Sequence, residues 1–135
     1  MTGRFADTSF YVAMLNTRDT WHSLAIECSQ QFRGLSVTTD FVLIELGNWL
    51  FRSGDRAAFV NLMAQLRSDP KTIIIPASRN GFDEGFNLYE RRPDKDWSLT
   101  DCISFVVMHE RKMSDALTGD HHFEQAGFHA LLTAK

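Results

Sequence analysis

Apolar side chains fall along the chain in two alternating patterns, short runs of three or four residues and longer stripes at helical spacing. Arg4-Phe5-Ala6 is a short run that stops on an acid, Asp7, and the hydroxyl pair Thr8-Ser9 leads into a new apolar segment. This predicts a buried strand over 4–6 turning directly into a helix over 9–15, with Phe10, Ala13 and Met14 on one face. Thr20 is expected to cap a second helix, on which Trp21, Leu24, Ala25, Cys28 and Phe32 follow the 3.6-residue repeat until Gly34. Leu35 to Val37 reads as the second strand, and Thr38-Thr39-Asp40 as the opening of a helix over 40–52. That helix carries Phe41, Val42, Leu43, Ile44, Leu46, Trp49, Leu50 and Phe51, apolar on most sides, and is expected to be central and mostly buried.

Gly54-Asp55 interrupts the pattern, and Ala58, Phe59, Leu62, Met63 and Leu66 form the stripe of an amphipathic helix that Pro70 closes. The β-branched run Thr72-Ile73-Ile74-Ile75 before Pro76 is the third strand. Ser78 caps a helix carrying Phe82, Phe86 and Tyr89, a charged loop follows over 91–96, and Ser98 starts a second very apolar helix. Ala116-Leu117-Thr118 is the fourth strand, Asp120 opens a short helix through Phe123, and His129 to Leu132 is an edge strand. Strands alternating with helices predict right-handed crossovers. The fold class expected is therefore α/β, a three-layer α/β/α sandwich around a mostly parallel sheet of four to five strands.

Composition adds limits. The 135 residues, 44% hydrophobic and 23% charged, suit one folded domain over 1–135 and argue against disorder. A formal net charge of −3 gives no whole-molecule field for nucleic acid, but does not exclude an enzyme whose acids gather in one place. Cys28 and Cys102 lack metal-type spacing and fit buried thiols in a reducing, cytoplasmic compartment. No leader pattern precedes Asp7, and no apolar stretch approaches the ~20 residues of a membrane helix.

The candidate chemistry lies in four acids. Asp7 and Asp120 each end a strand, Asp101 sits in the first turn of a helix, and Glu45 lies within two turns of a helix start that follows a strand. Each has a local explanation. Asp7 suits an Asx turn or cap, Ser98-Leu99-Thr100-Asp101 matches a capping box, and Asp120 caps a short helix. Glu45 is the least ordinary, since its helix face carries Phe41, Val42 and Trp49 and no Lys or Arg. As a set, all four can meet at the carboxyl edge of a parallel sheet, where open α/β folds bind ligands. Four carboxylates within ~5 Å would repel by about 3 kcal/mol per pair at an effective dielectric near 20. Six pairs exceed a typical domain's whole stability of ~5–15 kcal/mol. Shared protons or a divalent cation must relieve this, and an all-oxygen set suits Mg²⁺ or Mn²⁺. His121 and His122 are read as solvated, because adjacent side chains project differently and no third partner stands at ligand spacing.

These features resemble the PIN-domain endoribonucleases of the VapC toxin type. The resemblance spans nearly the full length. It rests on Ala6-Asp7-Thr8-Ser9, the Glu45 helix, the block from Asp96 through Phe105, and Leu117-Thr118-Gly119-Asp120 followed by Phe123. It implies a PIN-like fold, cleavage of RNA with Mg²⁺ or Mn²⁺, a cognate antitoxin and a homodimer. On that pattern Asp7 and Asp101 are the principal metal ligands, Glu45 and Asp120 complete the catalytic acids, and Thr8 and Thr118 hydrogen-bond a ligand water or phosphate. Arg91, Arg92 and Lys95, on the loop leading to the Asp101 helix, could hold the RNA backbone beside the metal, although a solvated charge run is the stronger explanation for them. The alternatives are a non-catalytic RNA-binding or scaffold module of the same fold, and a receiver-like phosphoacceptor. The latter is disfavoured because Asp7 stands alone after the first strand and Lys112 precedes the fourth.

Overall fold

A computed structural model describes residues 3–133. Five strands, β1 (Arg4–Ala6), β2 (Ser36–Thr39), β3 (Thr72–Ile75), β4 (Asp115–Leu117) and β5 (His129–Ala130), form one sheet in the order β3-β2-β1-β4-β5. Every pairing is parallel. Parallel neighbours need crossovers, and seven helices supply them: α1 (Thr8–Leu15), α2 (His22–Gln31), α3 (Asp40–Arg52), α4 (Arg56–Ser68), α5 (Arg79–Arg91), α6 (Leu99–Glu110) and α7 (His121–Gln125). The chain moves outward from β1 to β3, then returns past β1 to β4 and β5. Right-handed crossovers run in opposite directions therefore cover opposite faces, which gives the expected α/β/α layering.

This order has a physical consequence for ligands. β1 is central, and the connection leaving it goes one way while the connection leaving β4 goes the other. The carboxyl ends of β1 and β4 thus flank a crevice at the topological switch point. Asp7 directly follows β1, and Thr118 to Asp120 directly follow β4.

The core is built from the runs and stripes seen in the sequence. Phe5, Ala6, Val37, Ala116 and Leu117 are buried in the sheet, and Leu46, Leu50, Phe105, Met108 and Phe123 pack on it. α5 and α6 approach most closely at Gly85, where an added Cβ would stand 2.2 Å from Ile103 Cγ1 and 2.9 Å from its Cα.

Several boundaries differ from expectation. β2 runs on through Thr38 and Thr39. Both hydroxyls are used inside the fold: Thr38 donates to the Ala6 carbonyl, and Thr39 caps α3 by accepting from Val42 N–H. β4 begins at Asp115 and releases Thr118, whose side chain bonds across the sheet edge instead. α2 starts at His22, with the preceding turn held by Asp19 Oδ1, which accepts from Trp21 N–H, so Thr20 is not its cap. The largest correction concerns α3. Only Val42, Leu43, Leu46 and Leu50 are buried, while Ile44, Trp49 and Phe51 are exposed, Phe51 by 61%. A helix covering one face of a sheet needs a single apolar stripe. Ile44 and Phe51 instead form, with Phe59, Val60 and Met63 of α4, a shallow, largely apolar groove of about 880 Å³. Among the described residues no helix is long and apolar enough to cross a membrane.

Candidate active site

The crevice at the carboxyl edge is a cleft of about 470 Å³, and all four candidate acids, Asp7, Glu45, Asp101 and Asp120, line it. Their convergence follows from the local chemistry of each element. Asp7 is the first residue past β1, and its backbone N–H donates to the Leu117 carbonyl, which ties the ends of β1 and β4 together. Its side chain is buried. Asp7 Oδ2 accepts from the Thr118 hydroxyl at 2.9 Å and from the Ser9 hydroxyl at 3.2 Å. Thr118 Oγ1 in turn accepts from Asp120 N–H at 3.0 Å, so one hydroxyl positions two of the acids.

Asp101 serves two purposes that the sequence left open between. Its carboxylate accepts from Ser98 N–H while Ser98 Oγ accepts from Asp101 N–H, a complete capping box, and it is also buried against the cleft. Asp120 caps α7 by accepting from His122 N–H at 2.9 Å. Glu45, on the second turn of α3, is half-buried and accepts from the Thr8 hydroxyl at 2.5 Å. Thr8 and Thr118 are therefore engaged with carboxylates, not standing free for a water or phosphate as the family pattern suggested.

The electrostatics match the crowding. Burial, then the charges of Asp101 and Glu45, push the Asp7 carboxyl up to about 7, against the partial relief of the Thr118 hydrogen bond. Asp101 is raised as well, chiefly by burial, with Asp120 and Glu45 adding to it. A buried acid held that far above its ordinary value stores a demand for a positive partner, a proton or a cation. The donor set fits a hard divalent cation: several carboxylates line one open cleft, the charges of Asp101 and Glu45 bear on Asp7, and those of Asp120 and Glu45 bear on Asp101. Among the described residues no Lys or Arg lines the cleft.

Other residues present were not among the candidates. Asp19 and Asp96 add two acids from loops, and Trp21 and Trp49 supply aromatic walls. Trp21 packs so near Gly119 that a Cβ there would lie 2.6 Å from its Nε1. Loop residues leave no periodic signal, and Trp49 reads as core on an apolar helix. The solvated reading of the histidines fails for His122. Its Nδ1 is sealed from solvent, 3.1 Å from Asp120 Oδ1 and 3.5 Å from Asp101 Oδ2. The Asp120 cap starts a helical turn immediately, which swings His122 inward while His121 stays exposed.

The three basic candidates lie outside the cleft. Arg91 closes α5, Arg92 is paired bidentately with Asp94 at 3.0 Å, and both Arg92 and Lys95 stand over the Trp97 ring. Arg92 and Lys95 line a neighbouring hollow that meets the cleft at Asp96 and Ser98, whereas Arg91 lines a separate hollow that shares no residue with the cleft. Trp97, buried and hydrogen-bonded to Gln125, draws them to that side.

No family model matches the chain. Among curated proteins it is 28% identical over 125 residues to the 23S rRNA-specific endonuclease VapC20 of Mycobacterium tuberculosis, covering 92% of this chain and 94% of that protein. The crystal structure of Mycobacterium tuberculosis VapC20, described as a sarcin-ricin loop cleaving toxin, superposes with a TM-score of 0.84 at 26% identity, over 92% of this chain and 95% of that one. A toxin–antitoxin complex from Klebsiella pneumoniae shares the fold, with a TM-score of 0.59 at 14% identity over 87% of each chain. Along nine-tenths of its length the chain is similar in sequence and in fold to VapC20, and its architecture is a PIN-like α/β/α sandwich.

Proposed function

We propose that the protein is a metal-dependent endoribonuclease, the toxin of a toxin–antitoxin pair, and that Asp7, Glu45, Asp101 and Asp120 are its catalytic acids. The single observation that carries this is the shared cleft of these four acids, with Asp7 pushed up to about 7 by burial and by its neighbours. The likeness to an RNA-cleaving VapC protein supports the substrate class. A second reading, a scaffold that only binds RNA, has no use for a buried acid held in this state.

Asp7 and Asp101 would hold Mg²⁺ or Mn²⁺ as principal ligands, with Glu45 and Asp120 completing the pocket. Such an ion, when bound, lowers the pKa of a water and takes up charge developing on the phosphate. The chain's own part is to keep the ligands in place. Thr118 and Ser9 fix Asp7, Thr8 fixes Glu45, and the Ser98 N–H fixes Asp101, so that little reorganisation is left for the reaction. Trp21 and Trp49 offer faces on which unpaired bases stack, which favours an exposed RNA loop over a duplex. Arg91, Arg92 and Lys95 act one step away, on the backbone entering past Asp96. A cognate antitoxin and a homodimer complete the reading, the former supported by the fold shared with a toxin–antitoxin complex.

The test is incubation of the purified protein with structured ribosomal RNA and Mg²⁺, beside samples with EDTA and a D7N variant prepared identically. Discrete cleavage by the unmodified protein with metal alone is expected. Cutting that survives EDTA, or that D7N retains, overturns the reading.

A further inference from the structure

We propose that His122 is a nitrogen ligand in this cleft, binding through Nδ1 beside the Asp101 and Asp120 carboxylates, and that the cleft consequently holds Mn²⁺ in preference to Mg²⁺. The inference rests on the metal-dependent reading above and adds to it a ligand that the four acids do not include.

The geometry is specific. Nδ1 lies 3.1 Å from Asp120 Oδ1 and 3.5 Å from Asp101 Oδ2. It is sealed from solvent yet satisfies the geometry of a hydrogen bond with neither oxygen. A charge-assisted bond between an imidazolium and a carboxylate would be short and aligned, and here alignment is missing. Atoms that share a cation behave differently. Ligands at about 2.1 Å from one ion, at right angles to each other, stand about 3.0 Å apart with neither pointing at the other. The His122–Asp120 separation is close to that edge, and the His122–Asp101 separation is slightly wider, as expected before an ion draws the groups together.

The surroundings reinforce this. Asp120, His121 and His122 form a group whose ligand atoms all lie within 4.8 Å of one another, and Asp101, 3.5 Å from the His122 Nδ1, stands just outside that group. His121 is the outer member, 71% exposed, with its Nδ1 3.9 Å from Asp120 Oδ1. His122 is fixed by its own backbone, whose N–H donates to the Asp120 carboxylate that caps α7. Ligation requires the tautomer with the proton on Nε2, leaving the Nδ1 lone pair free.

The preference among metals follows from ligand chemistry. Mg²⁺ is hard and takes oxygen almost exclusively, whereas a site of mixed carboxylate and imidazole suits first-row divalent ions. Mn²⁺ accepts both kinds of donor and keeps the six-coordinate arrangement that phosphate chemistry uses.

The experiment uses the full chain and Mn²⁺ itself as the probe. Electron spin-echo spectroscopy of bound Mn²⁺ reports directly coordinated ¹⁴N, and titrations give the Mn²⁺ and Mg²⁺ affinities separately. The unmodified protein is expected to show the nitrogen modulation and to bind Mn²⁺ at least about tenfold more tightly than Mg²⁺. H122A should lose the modulation and about tenfold in Mn²⁺ affinity, with Mg²⁺ affinity nearly unchanged. Mn²⁺ bound without nitrogen modulation overturns the inference and leaves the ribonuclease reading intact. Equal loss of both metals in H122A also overturns it, since His122 would then merely brace Asp120. Absence of any metal binding to the unmodified protein removes both readings. Should H122A fail to fold, the spectrum of the unmodified protein decides alone.

Discussion

At the scale of single residues, Asp7 carries the largest electrostatic consequence. Its folded value of about 7 lies above the ordinary 3.8, so between those values the folded chain keeps a proton that the unfolded chain has lost. Stability of the metal-free protein is therefore full below about pH 4 and declines as pH rises towards 7, by roughly 4 kcal/mol if Asp7 acted alone. We expect D7N to flatten that decline and to raise the melting temperature of the metal-free protein at pH 8, as read by thermal melts across pH. Thr8 provides a second test. T8V removes the hydroxyl that holds Glu45. It should cost about 1 kcal/mol in denaturant melts and lower RNA cleavage by about tenfold without altering the fold. Asp7, Asp101 and Asp120 were legible in the sequence because each ends or opens an element, and Glu45 because it interrupts an apolar helix face. His122 was not, because its direction depends on a helical turn that begins at the Asp120 cap. Asp19 and Asp96 lie in loops, where no period announces a role.

At the scale of elements, the α5–α6 contact leaves less room for a Cβ at Gly85 than is left at any other described glycine. Gly85 lets the two helices close until the space for a methyl group vanishes against Ile103. G85A should push α5 away from α6 and destabilise the protein by about 1–3 kcal/mol in a denaturant melt. Because α6 carries Asp101 at its first turn, cleavage should fall further than stability alone explains. The helix and strand types were readable throughout, since Pro70, Pro76, Gly54 and the caps at Ser78 and Ser98 mark changes of pattern. What could not be read was which apolar residues of α3 stay outside. An apolar helix looks the same in sequence whether its second face meets a neighbour or, as with Ile44 and Phe51, solvent.

At the scale of the whole molecule, the proposed function asks an acidic chain to hold a polyanion. Of the cations that could do so, Arg92 and Lys95 share a hollow with Asp96 at the margin of the cleft, and Arg91 stands farther off. R92A should weaken RNA binding most at low salt and leave Mn²⁺ affinity unchanged, and equal RNA affinity at several salt concentrations would reject that role. The parallel sheet was legible from alternation alone, but its order was not. That order matters beyond placing the cleft. Asp7 and Glu45 come from the first half of the chain, while Asp101 and Asp120 come from the last third, and β4 must dock beside β1 before they meet. During synthesis, a chain that has formed β1 to β3 holds only two of the four carboxylates. If the proposed activity holds, the protein would thus stay harmless to RNA beside the ribosome that makes it, until nearly all of it has been translated.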